Sequence, residues 1–259
     1  MTEHDNVVNE QAEKRARLGK WFYSVLGLRV TRLEKNRLGQ VLPGLFGYHI
    51  VQIGEFAADH LLETSRINHK IHSAVDFSAE DGPGPDFLSS HVALPIASES
   101  VDVVVLPHVL EFDDNPHQVL RECERILIGE GHIVITAFNP WSLWGLWRLL
   151  LAWREQPPWQ GRYYRVNRVK DWLTLLDFEI IKSEYFFYRP PLQNNRIMSK
   201  LKFMEQLGRY CWPVFGGIVM LVAKKRVVPL TPIKMQWQTR RQLIASGVAE
   251  PSARMNRYT

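Results

Sequence analysis

The sequence predicts an α/β fold with a largely parallel sheet. Three observations carry that expectation. Strand-like and helix-like patterns alternate from about Gly47 to Arg226, the rhythm of a chain that returns to one sheet through helical crossovers. VDVVVL (101–106) is apolar at every position but Asp102, as a parallel strand covered on both faces should be. Val119, Leu120, Cys123, Ile126 and Leu127 then recur at helical spacing ahead of HIVITAF (132–138), which completes a strand, a helix and a strand.

Taken in order, residues 1–45 read as a mostly helical lead-in with Trp21, Phe22, Val25 and Leu26 as its apolar stripe. YHIVQIG (48–54) is a strand that stops at a single glycine, and AADHLLETSR (57–66) can form the helix after it. IHSAVDF (71–77) is a second strand ending near an acid, and GPGPD (82–86) is a loop by composition. Asp114 or Asn115 ahead of Pro116 signals a helix start, and Gly129 and Gly131 are expected to close that helix. Asn167 is a candidate cap for a helix with Val169, Trp172, Leu173 and Leu176 on one face. FEIIKSEYFF (178–187) and GIVMLVAKK (217–225) supply the last two strands, with a helical insertion over 188–216. The main domain is thus expected over 46–226, and 227–259 as a mobile basic tail.

Composition narrows the function. A chain of 259 residues with 46% hydrophobic content buries a real core, which excludes wholesale disorder. Cys123 and Cys211 lie far apart with no CxxC and no Cys/His cluster. Neither a disulfide framework nor a bound metal is suggested, and a reducing cytoplasm fits best. The polar N-terminus lacks the apolar core of a secretory signal. LWGLWRLLLAW (143–153) and YCWPVFGGIVMLVA (210–223) both fall short of the roughly 20 residues needed to span a bilayer. A net charge of +5 without a nucleic-acid motif points to solubility rather than to a nucleic-acid partner.

The segment 94–142 resembles the class I S-adenosylmethionine-dependent methyltransferases, in particular their type 11 group. Leu94, Pro95, Asp102, Glu111, Glu122, Arg125, Leu127 and Gly131 fall in that group's order with its gaps. The resemblance implies a Rossmann-like sheet of seven strands, mostly parallel with an antiparallel last strand, and S-adenosylmethionine as cofactor across the carboxyl ends of the first, second and fourth strands. It also aligns the family's acidic, glycine-rich loop with Gln52 to Ala58, where only Gly54 survives. Gln52 replaces an acid with an amide, and Phe56 stands where backbone should approach the cofactor. By the same resemblance Gln52, Gly54, Glu55, Asp76, Leu94 and Leu106 are the candidate cofactor residues, with Asp76 placed to accept from the ribose hydroxyls.

Each candidate has a plainer reading beside it. Gly54 also suits a turn after a strand, and Asp76 a cap or a turn. His108, at the exit of the fourth strand, is the candidate catalytic base, against a structural loop histidine. Glu111 and Asp113 read as helix-start acids. Asn139 and Trp141 are the substrate-side candidates, Asn139 also being suited to the turn before Pro140. Trp141, Trp144, Trp147 and Trp153 form either a lip for an apolar substrate or membrane surface, or core packing against the sheet. The expected function is methyl transfer to an unidentified acceptor, apolar or anionic, with peripheral membrane contact as a further expectation. The alternative is an inactive methyltransferase-fold protein serving as a binding or scaffold module. A nicotinamide-dependent dehydrogenase is excluded because GEFAAD does not supply G-x-G-x-x-G.

Overall fold

The computed structural model describes residues 14, 17–54, 61–76, 84–151, 156–191, 200–201 and 203–227. Seven strands form one sheet: β1 His49–Ile53, β2 His69–Ala74, β3 Phe87–Leu88, β4 Val101–Pro107, β5 Leu127–Phe138, β6 Phe178–Phe186 and β7 Ile218–Lys225. Their order is β3-β2-β1-β4-β5-β7-β6. The first five strands in that order form four parallel pairs, and β7 runs antiparallel to both β5 and β6. The expected fold class is therefore observed, including the closing antiparallel strand.

Alternation along the strands divides the interior into two cores. Ile50, Val103, Val105 and Val134 face a layer containing α1 (Val25–Val41), while Val51, Val104, Leu106 and Ile133 face α2 (Pro116–Ile126) and α4 (Val166–Leu175). A strand covered on both sides has no solvent face to mark with polar residues, which is why VDVVVL carries so few.

Local chemistry explains where the elements differ from expectation. The lead-in turns at residues 23–24, where the Ser24 hydroxyl accepts from the Gly27 N–H at 3.1 Å and caps α1. The apolar stripe is divided by that turn, leaving Phe22 and Leu26 buried and Val25 exposed. Residues 61–64 are turns rather than helix, and 55–60 lie outside the described residues. β2 starts earlier than expected and ends at Ala74, so Asp76 lies beyond the strand. Gly129 and Gly131 do not terminate α2. β5 begins at Leu127, and the pairing jumps from Val101↔Leu127 to Val103↔His132, so both glycines sit in an excursion of the strand. Asn167 does not cap α4, which starts at Val166 after Arg165. Two further helices, α3 (Leu143–Leu151) and α5 (Phe203–Cys211), lie in the connections after β5 and β6. The basic tail beyond Val227, like Glu55, Phe56 and Trp153, lies outside the described residues.

Candidate functional site

The strand order reverses between β1 and β4, and ligands of open α/β sheets bind at the carboxyl ends beside such a reversal. Gly54 ends β1 there with φ +131°. Its N–H donates to the Ser73 carbonyl at 2.9 Å, and its own carbonyl lies 3.1 Å from His72 Nε2. A Cβ at this position would meet Val109 Cγ2 at 2.7 Å and the Pro107 carbonyl at 3.4 Å. Both the backbone conformation and the approach of the β4 exit therefore call for glycine. Gln52, one pleat back, is buried on the α1 side of β1, whereas Asp76 is exposed just past β2. A bare backbone, an amide and a carboxylate thus line the ends of β1 and β2. That donor set fits an adenosine with an amino-acid arm.

The β4 exit has an ionic character that local sequence does not disclose. His108 has φ +52° and is fully buried, stacked on Phe138 with ring centroids 4.0 Å apart and flanked by Phe22. Its Nδ1 lies 3.0 Å from Glu111 Oε1, and its Nε2 lies 2.9 Å from Glu34 Oε1 on α1. Burial disfavours the charged imidazole, but the two carboxylates outweigh it and raise the His108 pKa to about 10. Near neutrality His108 is a cation that already carries its proton. At the position expected to hold a base, the fold holds the histidine between two acids and out of solvent. Glu111, expected as a helix-start acid, also accepts the Phe138 N–H at 2.7 Å. Asp113 accepts the Asn115 N–H at 2.9 Å as the chain turns into α2.

At the β5 exit, Asn139 is buried and its polar atoms are engaged. Its Nδ2 donates to the carbonyls of Val214 and Gly216 at 2.7 and 2.9 Å, and its Oδ1 accepts the Trp141 N–H at 3.1 Å. No donor remains for a substrate. Asn139 instead ties the connection after β5 to the segment before β7. Trp141 is more than half exposed and borders an apolar groove, while Trp144 is fully buried and stacks on Phe138 at 5.4 Å.

The residues that carry the family resemblance have structural tasks. Asp102 Oδ2 accepts the N–H groups of Tyr48 and His49, both at 2.8 Å, and so joins the starts of β1 and β4. Glu122 Oε2 accepts the Leu94 N–H at 3.2 Å, and Arg125 donates to the carbonyls of Leu94 and Ile96 at 3.0 and 2.9 Å. Arg125 beside Glu122 holds that carboxyl below its ordinary pKa. Leu94 is thereby fixed over the α2-side core, and Leu106 lies wholly inside it, so Leu106 exposes no side chain to a ligand. Residues missed by sequence reasoning are Glu34 and Val109: nothing in a helical lead-in or a loop marks a partner so distant along the chain.

The sheet order, the antiparallel last strand and the reversal between β1 and β4 define a Rossmann-like methyltransferase fold. Comparison with known proteins agrees with that fold: the chain belongs to one family with an uncharacterized Escherichia coli protein, and part of it matches a methyltransferase-domain family. A family model described as a methyltransferase domain matches residues 64–135. The Escherichia coli K12 protein YafS, itself uncharacterized, is 33% identical over 214 residues, 83% of either chain. A Thermotoga maritima S-adenosylmethionine-dependent methyltransferase superposes with a TM-score of 0.58 at 17% identity, covering 80% of this chain and 93% of that one. An Archaeoglobus fulgidus methyltransferase gives a TM-score of 0.52 at 21% identity, with 75% and 94% covered.

Proposed function

We propose that the protein transfers the sulfonium methyl of S-adenosylmethionine to an acceptor bound at the carboxyl edge of the sheet. The observation that carries this reading is Gly54, whose positive-φ backbone closes against the β4 exit at the point where strand order reverses. The bound cofactor would supply an electrophilic methyl group. Gln52, Gly54 and Asp76, with Glu55, would hold its amino-acid arm and ribose, and Leu94 would back the site with a packed apolar wall, Leu106 contributing through the core behind it. Rate would come from orienting the acceptor in line and excluding water. A base is needed only where the acceptor must lose a proton. His108 is charged already, so its part is to lock the β4 exit through Glu34 and Glu111.

Calorimetry with S-adenosylhomocysteine tests the reading. Wild-type protein should release binding heat, and Asp76→Ala, at an exposed position, should weaken binding at least about tenfold, the loss of one charge-assisted contact. Absence of heat from the wild-type protein at millimolar ligand refutes it.

One observation favours a second reading, a non-catalytic binding or scaffold module. Glu34 brings α1 onto the β4 exit, where an acceptor would approach. Binding of S-adenosylhomocysteine with no labelled methyl incorporated into any component of a cell extract would select that reading.

A further inference from the structure

The two connections that follow β5 and β6 leave an apolar groove between α3 and α5, with a volume of about 650 Å³. That size is in the range of about 300–1,000 Å³ typical of small-ligand sites. Trp141, Leu146, Leu149, Met204, Trp212 and Phe215 line it, and of these Trp141, Leu146, Leu149, Trp212 and Phe215 are each more than half exposed. So much adjoining apolar surface on a folded chain marks a binding site. The lining hydroxyls are spent inside the fold: Ser142 donates to the Asn139 carbonyl at 2.6 Å, and Tyr188 donates to the Pro213 carbonyl at 2.8 Å. The groove wall is also built to lie close, since a Cβ on Gly208 of α5 would strike the Tyr188 ring. An occupant finds hydrocarbon along the floor and few hydrogen-bonding partners.

Among the described residues, charge meets the groove beside Trp141. The Arg165 guanidinium lies over the Trp141 ring, 5.1 Å from its centroid. Arg165 and Arg168 then line an adjoining polar pocket with Tyr163, Tyr164, Asn167 and Asp171, two guanidinium groups against one carboxylate. Among the described residues neither arginine forms an ion pair. A hydrocarbon trough that ends at the Arg165 guanidinium, in a pocket with one more cation than anion, complements a molecule with an apolar chain and an acidic head. No described helix is long and apolar enough to cross a membrane, so these apolar residues are not accounted for as a span.

We propose that this groove binds a single-chain anionic amphiphile, with its hydrocarbon chain between α3 and α5 and its head at Arg165, and that this is the chemical class of the methyl acceptor. The acceptor role rests on the proposed function above, whereas the binding site does not. The test is equilibrium binding of monomeric dodecanoate, read by displacement of a fluorescent polyene fatty acid, alongside calorimetry with S-adenosylhomocysteine. Wild-type protein should bind dodecanoate, and each methylene removed from the chain should weaken binding about fourfold at full burial. Leu146→Glu with Leu149→Glu, at exposed positions, should weaken binding at least about tenfold while leaving S-adenosylhomocysteine affinity and Tm unchanged. Arg165→Glu should weaken dodecanoate binding but leave dodecanol binding unchanged. Absence of dodecanoate binding, equal binding by the double variant, or binding only to intact anionic vesicles would overturn the proposal, the last marking a membrane-docking face instead. Dodecanoate binding with no S-adenosylhomocysteine binding would keep the site and remove its role as acceptor site.

Discussion

Raising the pH from about 7 to about 8.5 should cost the folded protein roughly 2 kcal/mol through His108 alone, and Glu34→Gln should remove most of that loss. The reasoning starts from the geometry: an imidazole out of contact with water, 3.0 Å from one carboxylate oxygen and 2.9 Å from another. Its pKa is about 10 in the folded chain against an ordinary 6.5. Because the folded state binds the proton more tightly, the stabilisation is fully present below about pH 6.5 and is lost as pH rises toward about 10. At about 1.4 kcal/mol per pH unit, the whole span is worth about 5 kcal/mol. The window must stay below the pH at which Cys123 begins to matter, since burial pushes its thiol far above the ordinary value of 9.0. It must also stay above the range of His132, whose pKa is lowered by burial and by Lys224, so that its stabilisation is lost as pH falls.

Urea denaturation at several pH values between about 7 and 8.5 provides the measurement, with the midpoint and slope fitted at each. The Glu34→Gln variant keeps the shape and a hydrogen-bonding oxygen but removes one of the two charges that hold the imidazolium. It should be less stable than wild type by about 1–3 kcal/mol at neutral pH, and its stability should vary with pH less than half as steeply. If wild type and variant lose stability in parallel across the window, His108 is not the titrating group and the account of a charged β4 exit is wrong.

The sheet was legible because burial on both faces imposes continuous apolar runs, and YHIVQIG, VDVVVL and HIVITAF can hardly be placed anywhere but in its centre. The family signature was legible for a related reason. Asp102, Glu122 and Arg125 hydrogen-bond the backbone at the start of β1 and in the segment before β4, so in this chain their spacing serves the fold. The strand excursion at Gly129 and Gly131 is not legible, because two glycines after a helix are also the chemistry of a helix end. Residues that act across long stretches of chain were not legible. Glu34 looks like one more polar residue of an amphipathic helix until the fold brings it to His108. The groove was hidden for a third reason: 143–151 is apolar nearly all round, so its sequence does not state which face turns inward. Packing decides, sending Trp144 into the core and leaving Leu146, Leu149 and Leu150 outside.

Three further outcomes follow from contacts already described. Gly54→Ala combines a strained φ with a clash against Val109, and should cost about 1–3 kcal/mol in urea denaturation together with S-adenosylhomocysteine affinity in calorimetry. Arg125→Lys keeps the charge but loses the fork that reaches both Leu94 and Ile96, and should lower stability by about 1–2 kcal/mol with S-adenosylhomocysteine affinity within about threefold of wild type. For Asn139, the side-chain donors rather than its acceptor should matter, since Nδ2 serves the carbonyls of Val214 and Gly216 while Oδ1 serves only Trp141. Asn139→Ala should therefore cost about 2–3 kcal/mol, and Asn139→Asp at least as much, because a carboxylate keeps the bond to Trp141 but faces two carbonyl oxygens with nothing to donate. Wild-type stability in Asn139→Asp at neutral pH would show that the clamp between the two connections, and with it the shape of the groove, depends on some other contact.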